Sequence, residues 1–215
     1  AVVKYNYKTG ATVDTIFSVT KLKNSPIKKI DGYEFSPNEA KLLVYTNVKQ
    51  RYRRTFTADY YVYDVKRNEI TQLSENGAQE VPLFSPDSRY IAFARENNLY
   101  LKKLDFNSES AITKDGKIGS IINGTPDWVY EEEFTATRYF EWSPDSKMLA
   151  FVRFDESKVP EYSFPMFIDK SADKTDLTLY PSTVNFKYPK AGQNNSVVSV
   201  CVYDDYYKSV KTMKL

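Results

Sequence analysis

The chain has 215 residues, with 18 Tyr and 13 Phe against only 7 Gly, 27% charged residues and a formal net charge of +2. Strand-favouring aromatics point to a β-rich module, and so small a net charge excludes a strongly polyanion-seeking protein, so nucleic acid is not an expected partner. With no histidine and a single cysteine, a Ser-His-Asp or Cys-His relay within these residues is excluded and a zinc site is not expected.

The start, Ala1-Val2-Val3-Lys4-Tyr5, reads as the inside of a strand and lacks signal-peptide organisation. No apolar run reaches the roughly 18–20 residues that span a bilayer. Phe35-Ser36-Pro37-Asn38 then opens a motif that recurs as Phe84-Ser85-Pro86-Asp87 and Trp142-Ser143-Pro144-Asp145. Serine first and proline second suit a type I turn, with proline fixing φ and the hydroxyl free to bond locally. The three serines are 49 and 58 residues apart, near the roughly 40–50 of a four-stranded propeller blade. Strands are expected after each turn, at 42–46, 90–95 and 148–153. In each, both alternating sets of side chains are largely apolar, which predicts sheets covered on both faces, as in a blade between two neighbours. Hairpin turns are expected at Asn97-Asn98, leading into Leu99-Tyr100-Leu101, and at Lys66-Arg67-Asn68, between 60–65 and 70–73.

Between the first two turns lies a basic run, Lys49, Arg51, Arg53 and Arg54. A solvated face is its commonest meaning, a phosphate patch a second, and counter-charge for an acidic cluster a third. Gly116-Lys117-Ile118-Gly119-Ser120 places its serine after the second glycine, which is the wrong order for a G-x-S-x-G nucleophile elbow. There is no G-x-x-x-x-G-K-[ST] loop to cradle phosphate.

The acidic cluster is Asp127-Trp128-Val129-Tyr130-Glu131-Glu132-Glu133. Three consecutive like charges resist burial unless a cation stands opposite. On a strand Glu131 and Glu133 would share a face, whereas in a helical turn neighbours sit about 100° apart and two adjacent carboxylates converge. Convergence suits a small cation such as a peptide's α-ammonium, which can donate to two carboxylates at once. The plainer alternative is a solvated acidic turn. Trp128 and Tyr130 are expected to anchor this insertion in the core rather than to touch a ligand. Further on, residues 155–195 hold Pro160, Pro165, Pro181 and Pro189 and alternate weakly until 197–203, which predicts an excursion from the blades with some extended structure of its own. Asn123-Gly124-Thr125 and Asn194-Asn195-Ser196 fit the glycosylation pattern, a match frequent by chance, and Cys201 alone says nothing about redox compartment.

Residues 123–133, NGTPDWVYEEE, together with Trp142-Ser143-Pro144, Val159-Pro160-Glu161-Tyr162-Ser163-Phe164 and Tyr188-Pro189-Lys190-Ala191-Gly192, resemble the propeller domain of the dipeptidyl peptidase IV family. Val48-Lys49-Gln50 and residues 57–64 extend the likeness, which covers most of 31–203 and is weak over the first thirty residues. The resemblance implies a serine exopeptidase built from an eight-bladed β-propeller and an α/β-hydrolase domain, releasing dipeptides from amino termini with Pro or Ala second. It implies that Glu132 and Glu133 hold the substrate ammonium, and that Arg53 orients them and binds the first carbonyl. Arg54 competes for that role, because the chain has one residue more than the family pattern between Lys49 and Thr57. One residue fewer between Glu133 and Trp142 leaves a pocket-wall role for Phe134 or Thr135 open. A fixed ammonium anchor would act as a ruler, since an extended chain advances at most about 3.3–3.6 Å per residue toward a fixed nucleophile.

The fold expected is all-β: a partial β-propeller of about four four-stranded blades, half of the eight-bladed architecture, with a short helical insertion bearing the Glu cluster. Residues 1–215 are expected to form an incomplete N-terminal propeller domain, with the hydrolase domain outside this chain, so that taken alone it binds rather than catalyses. Expected partners are peptide amino termini, the hydrolase domain of the same polypeptide and a second copy; no cofactor, metal or membrane span is expected. The resemblance implies an exported protein, secreted, or periplasmic in a bacterium. A free-standing interaction propeller and a non-enzymatic peptide receptor are the two other classes the sequence allows.

Overall fold

In the computed structural model of the chain, residues 1–22, 25–168 and 177–214 are described. Strands β1 (Val2–Tyr5) and β2 (Thr12–Phe17) form a two-stranded antiparallel sheet. The first full blade follows as β3 (Gly32–Phe35), β4 (Lys41–Gln50), β5 (Phe56–Asp64) and β6 (Glu69–Gln72), paired in sequence order. The second is β7 (Glu80–Phe84), β8 (Tyr90–Arg95), β9 (Asn98–Lys103) and β10 (Ser108–Ala111), again in sequence order. A meander of four antiparallel strands is what short hairpin connections between apolar-alternating segments produce. The expected count of about four blades thus resolves, among the described residues, into three complete blades and the two-stranded sheet ahead of them.

The third blade differs in its first strand, which is split. β11 (Ile121–Asn123) and β12 (Phe140–Trp142) both pair with β13 (Met148–Asp155), β11 along its C-terminal half and β12 along its N-terminal half. Between them the chain leaves the sheet and returns almost to the same point: Gly124 donates to Val152 O and its own carbonyl accepts from Tyr139 N, at 2.9 and 2.8 Å. Gly124 sits at φ +76°, and a Cβ there would lie 2.6 Å from a Leu99 methyl and 2.9 Å from the Phe140 ring, so only glycine fits where the blades meet. The insertion carries α1 (Trp128–Phe134), the helix expected at the acidic cluster. A second excursion, β14 (Glu161–Ile168) with β15 (Leu177–Lys187), forms a hairpin of its own before β16 (Val197–Asp204) and β17 (Ser209–Thr212) complete the blade. This is the break expected over 155–195; its residues 169–176 lie outside the described ones.

The recurrent turn supplies more than chain reversal. Ser36 Oγ accepts from Lys41 N, Ser85 Oγ from Tyr90 N and Ser143 Oγ from Met148 N, at 2.9, 3.0 and 2.9 Å, while each hydroxyl donates to the Asx side chain two residues on. The turns also join neighbouring blades: Asn38 N donates to Ser88 Oγ and Asp87 N to Ser146 Oγ. Apolar side chains fill the spaces between sheets. Leu43, Tyr60, Phe84, Ile91 and Phe93 pack between the first and second blades; Leu99, Leu101, Trp142, Leu149, Phe151 and Tyr203 pack between the second and third.

The structure departs from two expectations. The β8–β9 turn is centred on Glu96-Asn97, both at positive φ, and Asn98 already pairs with Arg95. A two-residue type I′ turn needs left-handed conformations at both central positions, and the register, not residue preference, puts Glu96 in one. Covered faces hold for Leu42, Leu43 and Val44 and for residues 91–94, all at most 1% exposed. The third blade is covered fully on one face only: Leu149, Phe151 and Cys201 are buried against the second blade, whereas on the other face Met148 and Val198 are exposed and Phe154 is buried under Tyr130 and Tyr139. Among the described residues, no sheet packs against the Met148 and Val198 side.

Candidate functional site

The seven-residue α1 is far shorter than the roughly 12–15 residues an isolated helix needs, so its contacts must hold it. Asp127 is its N-cap: Oδ1 accepts from Tyr130 N at 2.8 Å, and Oδ2 accepts from Ser196 Oγ, which ties the helix start to the chain entering β16. At the other end Thr135 adopts a left-handed conformation, φ 59°, and donates its N–H to Glu131 O. Tyr130 packs edge-on against Phe154, centroids 4.9 Å apart, and Trp128 lies 4.6 Å from the Tyr188 ring beyond the excursion hairpin. Both aromatics are therefore anchors of the insertion.

The three glutamates diverge. Glu131 is 1% exposed. Its Oε1 accepts from the backbone N–H groups of Arg54 and Thr55, at 2.6 and 3.1 Å, and its Oε2 accepts from the Thr55 hydroxyl at 2.5 Å. The Arg54 guanidinium reaches across to Glu131 O at 3.2 Å. Glu132, half-buried, pairs with Arg53: Nη2 and Oε1 are 3.0 Å apart, and the arginine side chain remains largely exposed. Glu133 is exposed. Arg53 thus stands against Glu132 and Arg54 against Glu131.

All of these contacts run to one loop, residues 51–55, which joins β4 to β5 and closes on itself through Arg51 N to Thr55 O at 2.9 Å. Arg51 turns the other way. Its guanidinium pairs with the buried Glu80 of β7 at 3.1 Å and reaches Asn97 Oδ1 at 3.5 Å, so the loop is tied to the second blade as well as to the third. Burial acts to lower the Arg51 pKa, and Glu80 with Tyr52 beside it more than offsets that, so the net shift is upward. Burial also pushes the Tyr52 phenol up, against the opposing pull of Arg51. Close by, burial and then the Asp127 charge raise the Glu156 carboxyl above its ordinary range, with Arg51 and Lys187 opposing.

Chemically, this is an acid-lined rim with one arginine set beside it. Glu132 is held in place by Arg53 and has accessible surface left, Glu133 follows it, and Glu131 is consumed entirely by internal hydrogen bonds. An open cleft of about 440 Å³ lies nearby, lined by Trp128, Tyr162, Phe164, Phe186, Tyr188 and Lys190; neither Glu132 nor Glu133 lines it. Among the described residues no group of three or more His, Cys, Asp or Glu is placed to hold a metal ion. No helix among them is long and apolar enough to cross a membrane. Sequence reasoning missed Glu131 as the buried member, Thr55 as its partner and the Arg51–Glu80 tie. The Asp127-x-x-Tyr130 spacing was the one local signal of where the helix begins.

Residues 36–215 match the family model for the dipeptidyl peptidase IV (DPP IV) N-terminal region. Among curated relatives, the "Probable dipeptidyl-aminopeptidase B" of Emericella nidulans is 40% identical over 176 residues, 79% of this chain and 19% of that protein. The human "Prolyl endopeptidase FAP" is 33% identical over 210 residues, 96% of this chain and 26% of that protein. The crystal structure of Porphyromonas gingivalis dipeptidyl peptidase 4 superposes with a TM-score of 0.90 at 44% identity, covering 99% of this chain and 29% of that one. The chain therefore spans no more than about 29% of the length of any of these three proteins.

Proposed function

We propose, because this chain belongs to the dipeptidyl peptidase IV N-terminal region family, that it is the substrate-binding part of a serine exopeptidase, in which Glu132 and Glu133 hold the α-ammonium of a peptide. Arg53 sets the pair and receives the carbonyl of the first substrate residue. The Arg53–Glu132 contact at 3.0 Å carries this reading, because it joins two blades at the point where accessible acidic groups gather. A guanidinium beside one carboxylate fixes its position and leaves its remaining lone pairs for a second cation.

The chemistry follows from the charge count. An ammonium has three N–H donors, two of which can be met by Glu132 and Glu133 and the third by water or the peptide itself. A blocked amino terminus brings no positive charge, so the carboxylates lose solvent without gaining a partner, which is costly wherever the site is closed over. The nucleophile and its histidine belong to a hydrolase domain of the same polypeptide, outside these residues, and the distance from anchor to nucleophile sets release after the second residue. An exported location, secreted or periplasmic, is part of the same proposal. So is self-association, with a second copy covering apolar surface such as Met148 and Val198; a strictly monomeric species in sedimentation at high concentration would count against it.

The experiment is the full-length gene product assayed on a chromogenic Gly-Pro substrate, with Glu132→Gln and Glu133→Gln made singly. Losing a charged hydrogen bond made to the substrate should lower kcat/KM by roughly 10- to 150-fold in each, the equivalent of about 1.5–3 kcal/mol, with folding retained. Unchanged kcat/KM in both variants would remove the clamp from the mechanism.

A further inference from the structure

Glu131 has the best-satisfied side chain in the acidic cluster and the least access to any ligand. It is 1% exposed, and its carboxylate accepts three hydrogen bonds from two consecutive residues, Arg54 and Thr55, that lie 76–77 positions earlier in the chain. Thr55 is itself 2% exposed. A buried acceptor with that many donors is not available to a substrate, yet it sits one residue from Glu132, and its donors sit one and two residues from Arg53. The same short segment therefore joins both partners of the Arg53–Glu132 pair.

We propose that Glu131 is a positioning residue: by binding the 54–55 backbone and the Thr55 hydroxyl, it sets the register between loop 51–55 and α1 that brings Arg53 against Glu132. The inference rests on the reading of Glu132 and Glu133 as ammonium ligands and adds the device that holds them. Two blades supply the parts, and the strand pairings of each blade, as far as the described residues show them, lie within its own sheet and do not reach from the loop to the helix. Arg53 is largely exposed and Glu132 only half-buried, so their mutual contact is too weakly shielded to fix the geometry alone. The buried carboxylate is shielded, and the Arg54 guanidinium on Glu131 O adds a second link in the same direction. Arg51, bound to Glu80 and Asn97, prevents the loop from swinging the other way.

A positioning role through hydrogen bonds and a binding role through charge respond differently to amide substitution. In Glu131→Gln the side-chain oxygen still accepts from the two backbone N–H groups and the amide N–H₂ can donate to the Thr55 oxygen, so geometry survives without charge. In the full-length protein, with folded enzyme counted by titration with a small fluorophosphonate that bears no amino group, Glu131→Gln should keep KM for the Gly-Pro substrate within about threefold of wild type. Glu131→Ala should raise KM by about tenfold or more, with kcat per titrated site changed much less, as expected where ground-state and transition-state binding are lost together. Thr55→Val should raise KM in the same way and Thr55→Ser should restore it, which keeps the test decisive if Glu131→Ala does not fold. Glu131→Gln as damaging as Glu132→Gln would make Glu131 a direct charge ligand and overturn the proposal. Thr55→Val indistinguishable from Thr55→Ser would overturn it too. If instead Glu132→Gln and Glu133→Gln leave KM untouched, the clamp itself fails, a result distinct from either.

Discussion

Replacing Asp127 by alanine should loosen α1 without unfolding the blades. Two hydrogen bonds go at once: the N-cap bond from Tyr130 N and the bond from Ser196 Oγ. Losing an N-cap costs about 1 kcal/mol within a range of roughly 0.5–2, and losing a hydrogen bond to a charged group about 1.5–3. One effect opposes them, since the Asp127 charge is the second cause, after burial, that raises the Glu156 carboxyl, and its removal relieves that repulsion. The net loss should be about 2–3 kcal/mol in local stability. A helix this short opens as a unit, so amide exchange at Glu131 and Thr135, whose N–H groups bond to Asp127 O and Glu131 O, reports that opening directly. Exchange there should accelerate roughly 30- to 140-fold, tenfold for each 1.4 kcal/mol, while β8 amides keep their protection. Asp127→Ser, which can still cap, should recover about 1 kcal/mol of the loss. Unchanged exchange at both amides in Asp127→Ala would refute the view that capping and the Ser196 tie hold the insertion.

Three further outcomes follow from the structure. Glu156→Gln should stabilise the protein at pH 7–8. The folded carboxyl, raised by burial and by Asp127, is favoured in its neutral form, so its penalty on the fold is fully present above the raised pKa and fades as pH falls toward the ordinary carboxylate value. Melting temperatures of variant and wild type should accordingly converge by about pH 4, and a gain that grows on acidification would reverse the assignment. Gly124→Ala combines a positive φ with a Cβ 2.6 Å from Leu99, and should cost about 2–4 kcal/mol in denaturant titration; a neutral effect would mean that the blades can part there. Ser146→Ala leaves Asp87 N without its cross-blade acceptor and should cost about 1 kcal/mol, read as faster exchange of that amide.

The blades were legible because their strands are set by local chemistry. The Ser-Pro-Asx turn marks where each begins, and Ile91, Ala92, Phe93 and Ala94, apolar on both alternating sets, declare a sheet buried on both sides. The helix at 128–134 was expected from carboxylates that would converge in a helical turn, yet the three glutamates diverge there, and the local feature that marks its start is the Asp127 cap. What the sequence withheld was long-range pairing. Nothing near Thr55 announces a carboxylate 76 residues on, and nothing near Arg51 announces Glu80, because such contacts depend on how one blade lies against the next. The split first strand of the third blade was hidden for the same reason: β11 is only three residues long, and what defines it is its register on β13. The partly open face of that blade was misread because alternation reports which side chains are apolar, whereas coverage requires a neighbouring sheet, and none of the described residues forms one there.

The central claim concerns a charge meeting a charge, and the most direct measurement is discrimination between a free and an acetylated amino terminus. In the full-length gene product, kcat/KM for Gly-Pro-p-nitroanilide should exceed that for its N-acetyl form by several hundredfold or more, and Glu132→Gln should reduce that ratio by at least about tenfold through loss of the free-amine substrate alone. A ratio that Glu132→Gln leaves unchanged, with both substrates slowed equally, would contradict the assignment of Glu132 to the substrate's ammonium.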